Sequence, residues 1–259
     1  MELRKQQEQE HANKLKGLLE ASSDEEMALS NKKFYKIARG SRNFMKKWLI
    51  TEISRGKKNI LDYCCGEGEM AIFVAQNGAN ATGVDISDVS IKSAEKKAIA
   101  QSPANKPNFL VMDAENLTFS DNSFDIIICS GVLHHLDIEK AYAELSRVLK
   151  PDGQVICNEP LAYNPLIQLY RYLTPKLRTE WESKHILTKK SIYLSKKYFG
   201  KIETRFYHLT TILAVPFRKT RFFSFILSIP EAIDWVLLKL PLIKWLSWQI
   251  IFILSRPKK

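Results

Sequence analysis

A chain of 259 residues, 45% of them hydrophobic, can build one sizeable core or one core with an appended lobe. Four cysteines, two of them adjacent at Cys64 and Cys65, form neither a disulfide framework nor a zinc-ligand spacing, so a reduced, cytoplasmic protein without a metal is expected. The net charge of +11 is uneven: residues 59–149 hold 6 Lys/Arg against 13 Asp/Glu, and the remainder 33 against 15. An acidic middle suits a cationic ligand, and basic flanks suit an acidic substrate, a membrane surface or RNA.

Met1 to Glu10 is charged and has no apolar core, which argues against a secretory signal. Residues 1–30 are helix-prone with little apolar stripe and read as a loosely held arm. Phe34, Ile37, Phe44, Trp48 and Ile50 or Ile53 then recur near helical spacing, predicting one or two amphipathic helices. Strand–helix alternation follows. Strands are predicted at Asn59–Tyr63, Ala81–Asp85, Asn108–Asp113, Phe124–Ser130 and Gln154–Glu159. Helices are predicted at Glu69–Asn77, at Asp88–Gln101 with Ser87 or Asp88 as cap, and at Asp137–Val148 before the turn Lys150-Pro151-Asp152-Gly153. Such alternation predicts an α/β, doubly wound, mostly parallel sheet with helices on both faces. After Glu159 the alternation stops. Residues 160–200 read as helices over the sheet, Lys201–Thr210 as a strand, 222–245 as an apolar helical insertion and Trp248–Leu254 as a last strand. The expected division is an N-terminal arm or lid over 1–54, a cofactor-binding core over 55–160, and over 161–259 a helical cap plus the last two strands of the same sheet.

The stretch Ile60-Leu61-Asp62-Tyr63-Cys64-Cys65-Gly66-Glu67-Gly68-Glu69 ends a strand in a glycine loop and opens a helix. Helix-start amides face a ligand there, and glycine permits close approach. The loop lacks the Lys-Ser/Thr pair of a P-loop and the full G-x-G-x-x-G spacing. Asp85, 17 residues after Gly68, ends the second strand, where an acid can accept both ribose hydroxyls. Asp113 ends the third strand, in reach of an adenine amine, and Ser130-Gly131-Val132-Leu133-His134-His135 follows the fourth. All four elements fall at carboxyl ends of strands, where open parallel sheets bind ligands.

On these segments the chain resembles the class I S-adenosylmethionine-dependent methyltransferases, small-molecule type, over roughly residues 55–160. The resemblance implies a seven-stranded sheet whose last, antiparallel strand lies between two others. It implies S-adenosylmethionine as cofactor, with Asp62, Cys64, Gly66 and Gly68 around its amino-acid end, Asp85 and Ile86 at the ribose, Asp113 and Ala114 at the adenine, and Ser130 and Gly131 on the pocket floor. Cys64 stands where the family often has glycine, which limits backbone freedom; a nucleophilic Cys64 is the sharper alternative.

Methyl transfer is an in-line displacement in which the protein supplies orientation and a dry pocket, and a base is needed only for an acceptor that carries a proton. His134 and His135 are the first candidates, against a helix-start or packing role; Glu159 is the next, against a cap or ion-pair role. Tyr35 is a candidate lid, and Tyr163 and His185 candidate acceptor contacts. The nucleic-acid tetrad ending Pro-Pro-Tyr or Pro-Pro-Trp is absent and no RNA-binding module shows, which favours a small, hydrophobic or lipid-like acceptor over nucleic acid. An RNA or protein methyltransferase using the basic flanks, and a non-catalytic cofactor-binding subunit, stay open. Segment 222–245 reads equally as a peripheral membrane helix, a packed cap helix or a face for a second copy.

Overall fold

The structure is a computed structural model that describes residues 2–21, 34, 36–101 and 105–259. Helices α1 (Leu3–Ala21) and α2 (Arg39–Ser54) precede the alternating core. That core runs β1 (Asn59–Tyr63), α3 (Glu69–Gln76), β2 (Asn80–Asp85), α4 (Asp88–Gln101), β3 (Asn108–Val111), β4 (Phe124–Ser130), α5 (Ile138–Val148) and β5 (Leu149–Pro160). Short helices α6 (Pro165–Leu173), α7 (Glu180–His185) and α8 (Lys189–Leu194) lead to β6 (Phe199–Tyr207). The chain closes with α9 (Phe223–Leu237) and β7 (Gln249–Pro257).

The seven strands lie in the order β3-β2-β1-β4-β5-β7-β6. β1 to β5 are parallel, and β7 runs antiparallel between β5 and β6, as the resemblance implies. Side chains alternate across each strand, so each half of the apolar run in β4 buries in a different layer. Ile127 and Cys129 join Leu61, Val155, Phe252 and the apolar face of α5. Ile126 and Ile128 join Ile60, Ile156 and Ile251 against Met45, Leu49 and Ile53 of α2, together with α3 and α4. A smaller third cluster holds Phe34, Ile37, Ile167 of α6, Ala214 of a 3-10 turn (Thr211–Phe217) and Leu227 of α9; this is the cap.

Several element boundaries differ from expectation: β6 runs Phe199–Tyr207 rather than Lys201–Thr210, and β7 runs on to Pro257 rather than stopping at Leu254. β3 stops at Val111, where the Met112 amide makes the last ladder bond to the carbonyl of Asp85, leaving Asp113 just past the strand. β5 starts at Leu149, five residues early, because Leu149 pairs with Phe124 before a register shift resumes the ladder at Gln154. The apolar insertion is a 15-residue helix followed by a 3-10 turn (Ile243–Leu246), not one helix over 222–245. No helix among the described residues is long and apolar enough to cross a membrane.

Candidate cofactor and acceptor site

The glycine loop forms because β1 ends against β2 and must turn sharply into α3. Cys64 has φ 55°, Gly66 51° and Gly68 73°, all left-handed. The Cys65 amide bonds Val84 O at 2.8 Å and the Gly68 amide bonds Cys65 O at 2.8 Å, closing the turn. At Cys64 the side chain costs roughly 1–2 kcal/mol in that conformation. Burial first, then the nearby Asp85, pushes its thiol well up, so Cys64 carries no thiolate for a nucleophilic role at neutral pH. Asp62, buried at the end of β1, accepts the Ala71 amide at 2.9 Å and fastens the first turn of α3. Its burial, with the Asp85 and Glu69 charges, raises it to about 7 against the pull of that amide.

Asp85 ends β2. One of its oxygens accepts the Gly66 amide at 2.9 Å and the other the Ser87 amide at 2.9 Å, so the carboxylate braces the glycine loop. Each oxygen keeps a lone pair for a further donor. Burial raises its pKa against these amides. Ser87, whose Oγ accepts the Ser90 amide, is the cap of α4. Ala114 is buried and its carbonyl accepts the Tyr63 hydroxyl at 2.6 Å. Ser130 is exposed at the end of β4, and Gly131 has φ 72°. A side chain built on Gly66 or on Gly131 would meet nothing within 4 Å, so both backbones face open space.

The position of α1 shows in no apolar pattern. Five polar side chains tie it across the carboxyl ends of β2, β3 and β4. Arg4 makes a two-pronged pair with Glu115 at 2.6 and 2.7 Å and reaches His135 O. Lys5 bonds Asp113 at 2.7 Å. Glu8 bonds His135 Nδ1 at 2.9 Å and accepts the Thr179 hydroxyl. Gln9 donates to Ile86 O at 2.8 Å, and Asn13 accepts from Ser87 Oγ at 2.6 Å. His11, on the same helix, leaves its Nε2 buried without a partner.

Beyond β4 and β5 lies a second group. Glu159 is fully buried. One oxygen accepts the Val132 and Leu133 amides at 2.8 and 3.0 Å, and the other meets His134 Nδ1 at 2.9 Å. The carboxylate therefore caps the 3-10 turn Leu133–His135 and fixes the His134 ring. His134 Nε2 lies 4.0 Å from Glu182 of α7. Burial and the neighbouring His135 lower the His134 pKa despite Glu159 and Glu182. His135 goes the other way: burial would lower it, but the Glu8 hydrogen bond and the Glu182, Glu8 and Glu159 charges raise it. Asn158, beside Glu159, buries an Oδ1 that has no partner.

Asp62, Cys64, Gly66, Gly68, Asp85 and Ile86 thus gather at one end of the sheet with Asp113, Ala114, Ser130 and Gly131, and His134, His135 and Glu159 adjoin them. Of the other two nominated contacts that are described, His185 stands on α7, whose Glu182 approaches His134. Tyr163 is exposed and its hydroxyl accepts the Lys189 amide; His185 is exposed, stacked on Trp181 at 3.6 Å. Tyr35 lies outside the described residues. Sequence reasoning did not nominate Arg4, Lys5, Glu8, Glu182 or Asn158; the partners of the first three lie far off along the chain, and no spacing points to the other two.

Three observations fit S-adenosylmethionine to this site. Open space fronts Gly66 and Gly131, and Asp85 keeps lone pairs for hydroxyls. Asp62 and Asp85 pair with no Lys or Arg among the described residues, which suits a cationic ligand. The orphaned His11 Nε2 adds an unmet hydrogen-bonding atom on the helix above.

Residues 61–157 match a family model described as a methyltransferase domain. A ubiquinone/menaquinone biosynthesis C-methyltransferase of Rickettsia prowazekii is 37% identical over 127 residues, covering 46% of this chain and 51% of that protein. Its counterpart in Rickettsia felis is 40% identical over 115 residues, covering 42% and 46%. The chain thus spans about half the length of the curated relatives it matches. Among solved structures, the PH0226 protein of Pyrococcus horikoshii OT3 superposes with a TM-score of 0.56 at 20% identity, over 84% of this chain and 90% of that one. Magnesium protoporphyrin IX methyltransferase of Synechocystis PCC 6803, solved with bound SAH, gives 0.54 at 17% identity, over 86% and 85%. Sequence match, strand order and site geometry converge on residues 61–157 as a methyltransferase domain.

Proposed function

We propose that the chain transfers a methyl group from S-adenosylmethionine to a small hydrophobic acceptor that gives up a proton, with His134 as base. The observation that carries the reading is the Glu159–His134 pair beside the Asp85 loop. When bound, the cofactor supplies a methyl group already activated on a sulfonium. Gly66, Gly68 and Gly131 would let the backbone approach it, Asp85 would take its ribose hydroxyls, and Asp113 its adenine amine. The Lys5 pair with Asp113 makes α1 part of that adenine wall.

Glu159 accepts from His134 Nδ1, so that nitrogen carries the proton and Nε2 keeps the lone pair. The lowered pKa keeps the ring neutral near pH 7, ready to take a proton. His135, raised and held by Glu8, is assigned to the docking of α1 rather than to base chemistry. Two relatives named for carbon methylation in quinone biosynthesis support an acceptor that is hydrophobic and must shed a proton.

The test has two parts. Calorimetry should show Asp85→Ala weakening S-adenosylmethionine binding tenfold or more, through lost charge-assisted hydrogen bonds; unchanged affinity sinks the cofactor assignment. Labelled S-adenosylmethionine should mark lipid or metabolite fractions, whereas label entering RNA or protein alone overturns the acceptor class.

A further inference from the structure

We propose that the cap docks on an anionic lipid bilayer, through the outer face of α9 and α6 and the cations that border it. The inference deepens the acceptor reading, since a lipid-dissolved acceptor would be met at that face, but the docking itself rests on surface chemistry alone.

Phe222, Phe225, Ile229, Ile233 and Val236 recur at spacings of three and four along α9, and all five are exposed, Phe225 by 71%. A helix of a water-facing cap should bury that stripe. Here the opposite side of α9 is the one packed, with Leu227 at the centre of the small cap core. Helix α6 backs onto the same core through Ile167 and likewise turns Leu166, Leu169, Tyr172 and Leu173 outward, Tyr172 by 82%. Leu242, just past α9, is 85% exposed. Apolar skin of this extent marks a contact surface.

The borders decide what it contacts. Arg218, Lys219 and Arg221 stand before α9, and Lys239 and Lys244 after it. The two acids on the segment are already engaged: Glu231 pairs with Arg39 at 2.7 Å, and Asp234 accepts the Leu209 and Thr210 amides. Between β6 and α9 opens a cavity of about 520 Å³, with Arg205, Lys239 and Lys244 in its wall beside Trp235. These three cations lie over aromatic faces, Lys239 at 3.1 Å from the Trp235 ring centre, Lys244 over Phe206 and Arg205 over Phe44. Among the described residues none of the three meets a carboxylate. Cations unpaired at the rim of an apolar face, with tryptophan among them, match a lipid interface whose phosphates they would pair. A second copy fits poorly, because a two-fold contact would bring these cations against their own kind.

The test is co-sedimentation of the full chain with vesicles of phosphatidylcholine and phosphatidylglycerol, 3:1, and with phosphatidylcholine alone, in 50 mM sodium chloride. The charged vesicles should bind the chain and release it as salt rises. Phe225→Ser with Ile229→Ser should lower partitioning about tenfold or more, from lost apolar burial. Lys239→Ala with Lys244→Ala should lower it roughly thirtyfold, from two lost headgroup attractions. All four positions are at the surface of the cap and away from the glycine loop, so circular dichroism and S-adenosylmethionine affinity should stay unchanged. No binding to the charged vesicles, or binding by both variants equal to that of the unmodified chain, overturns the proposal. So does a dimer in sedimentation equilibrium that Phe225→Ser with Ile229→Ser splits, which would assign the face to a second copy. Cofactor affinity is read separately, so a chain that binds vesicles but not S-adenosylmethionine would sink the methyltransferase reading and leave the docking standing.

Discussion

Asp62 and Asp85 face each other's charge at the head of the sheet, and Asp62 sits at about 7 because burial and Asp85 disfavour its ionised form. A bound cation favours ionised carboxylates, so it lowers their pKa and expels protons. S-adenosylmethionine affinity should therefore rise with pH between about 6 and 8, with proton release on binding. Calorimetry in two buffers of different ionisation enthalpy measures both, and Asp62→Asn should remove most of the effect. A second residue acts on stability. His208 is buried between the Ser41 and Thr211 hydroxyls, at 3.1 and 3.2 Å, and burial lowers it from 6.5 to about 3. Between those values the unfolded chain holds a proton that the folded chain refuses, so stability falls as the pH drops. The slope is about 1.4 kcal/mol per pH unit, or about 2 kcal/mol by pH 5. Urea titrations at pH 7 and pH 5 should show this loss in the wild type and not in His208→Gln. Glu159 shows the reach of sequence at this scale. Its place at the end of a strand was legible, but its grip on Val132, Leu133 and His134 depends on the β4–β5 register, which no spacing in the chain encodes.

Elements of the core were legible because their physics is local. An apolar run such as Phe124–Ser130, punctuated by glycine and capped helices, declares a buried parallel strand from composition alone. Asp137 shows the same for helices, since its side chain accepts the Glu139 and Lys140 amides at the start of α5. Close packing between elements was not legible. Gly83 in β2 has an ordinary backbone, yet a Cβ there would sit 2.7 Å from the Phe109 ring of β3 and 2.9 Å from Cys65 Sγ. Gly83→Ala should therefore cost about 1–3 kcal/mol in urea unfolding, and Phe109→Leu in the same chain should recover part of it. The outward stripe of α9 was visible as a pattern. Which side of it the cap would bury was not, because that depends on where α6 and the 3-10 turn Thr211–Phe217 lie.

For the molecule as a whole, the charge asymmetry of the sequence becomes an arrangement in space. The acidic core meets Arg4 and Lys5 of the N-terminal helix, while Arg205, Lys239 and Lys244 stand in the wall of the cap cavity. Helix α1 joins the two halves of that arrangement at the mouth of the site, and its anchors Arg4, Lys5 and Glu8 work by charge. A lid seated by apolar packing would be nearly indifferent to ionic strength. This one is less so, because about 1 M salt shortens the Debye length to roughly 3 Å and weakens the partly exposed Lys5–Asp113 and Glu8–His135 pairs more than the buried Arg4–Glu115 pair. The spent cofactor lies beneath α1 in the proposed reading, so its escape should quicken as salt is raised. Stopped-flow release of S-adenosylhomocysteine would show it, with Arg4→Gln flattening the response. Ionic strength would then set the tempo of turnover, and the chain would exchange its cofactor fastest where its own charges are most thoroughly screened.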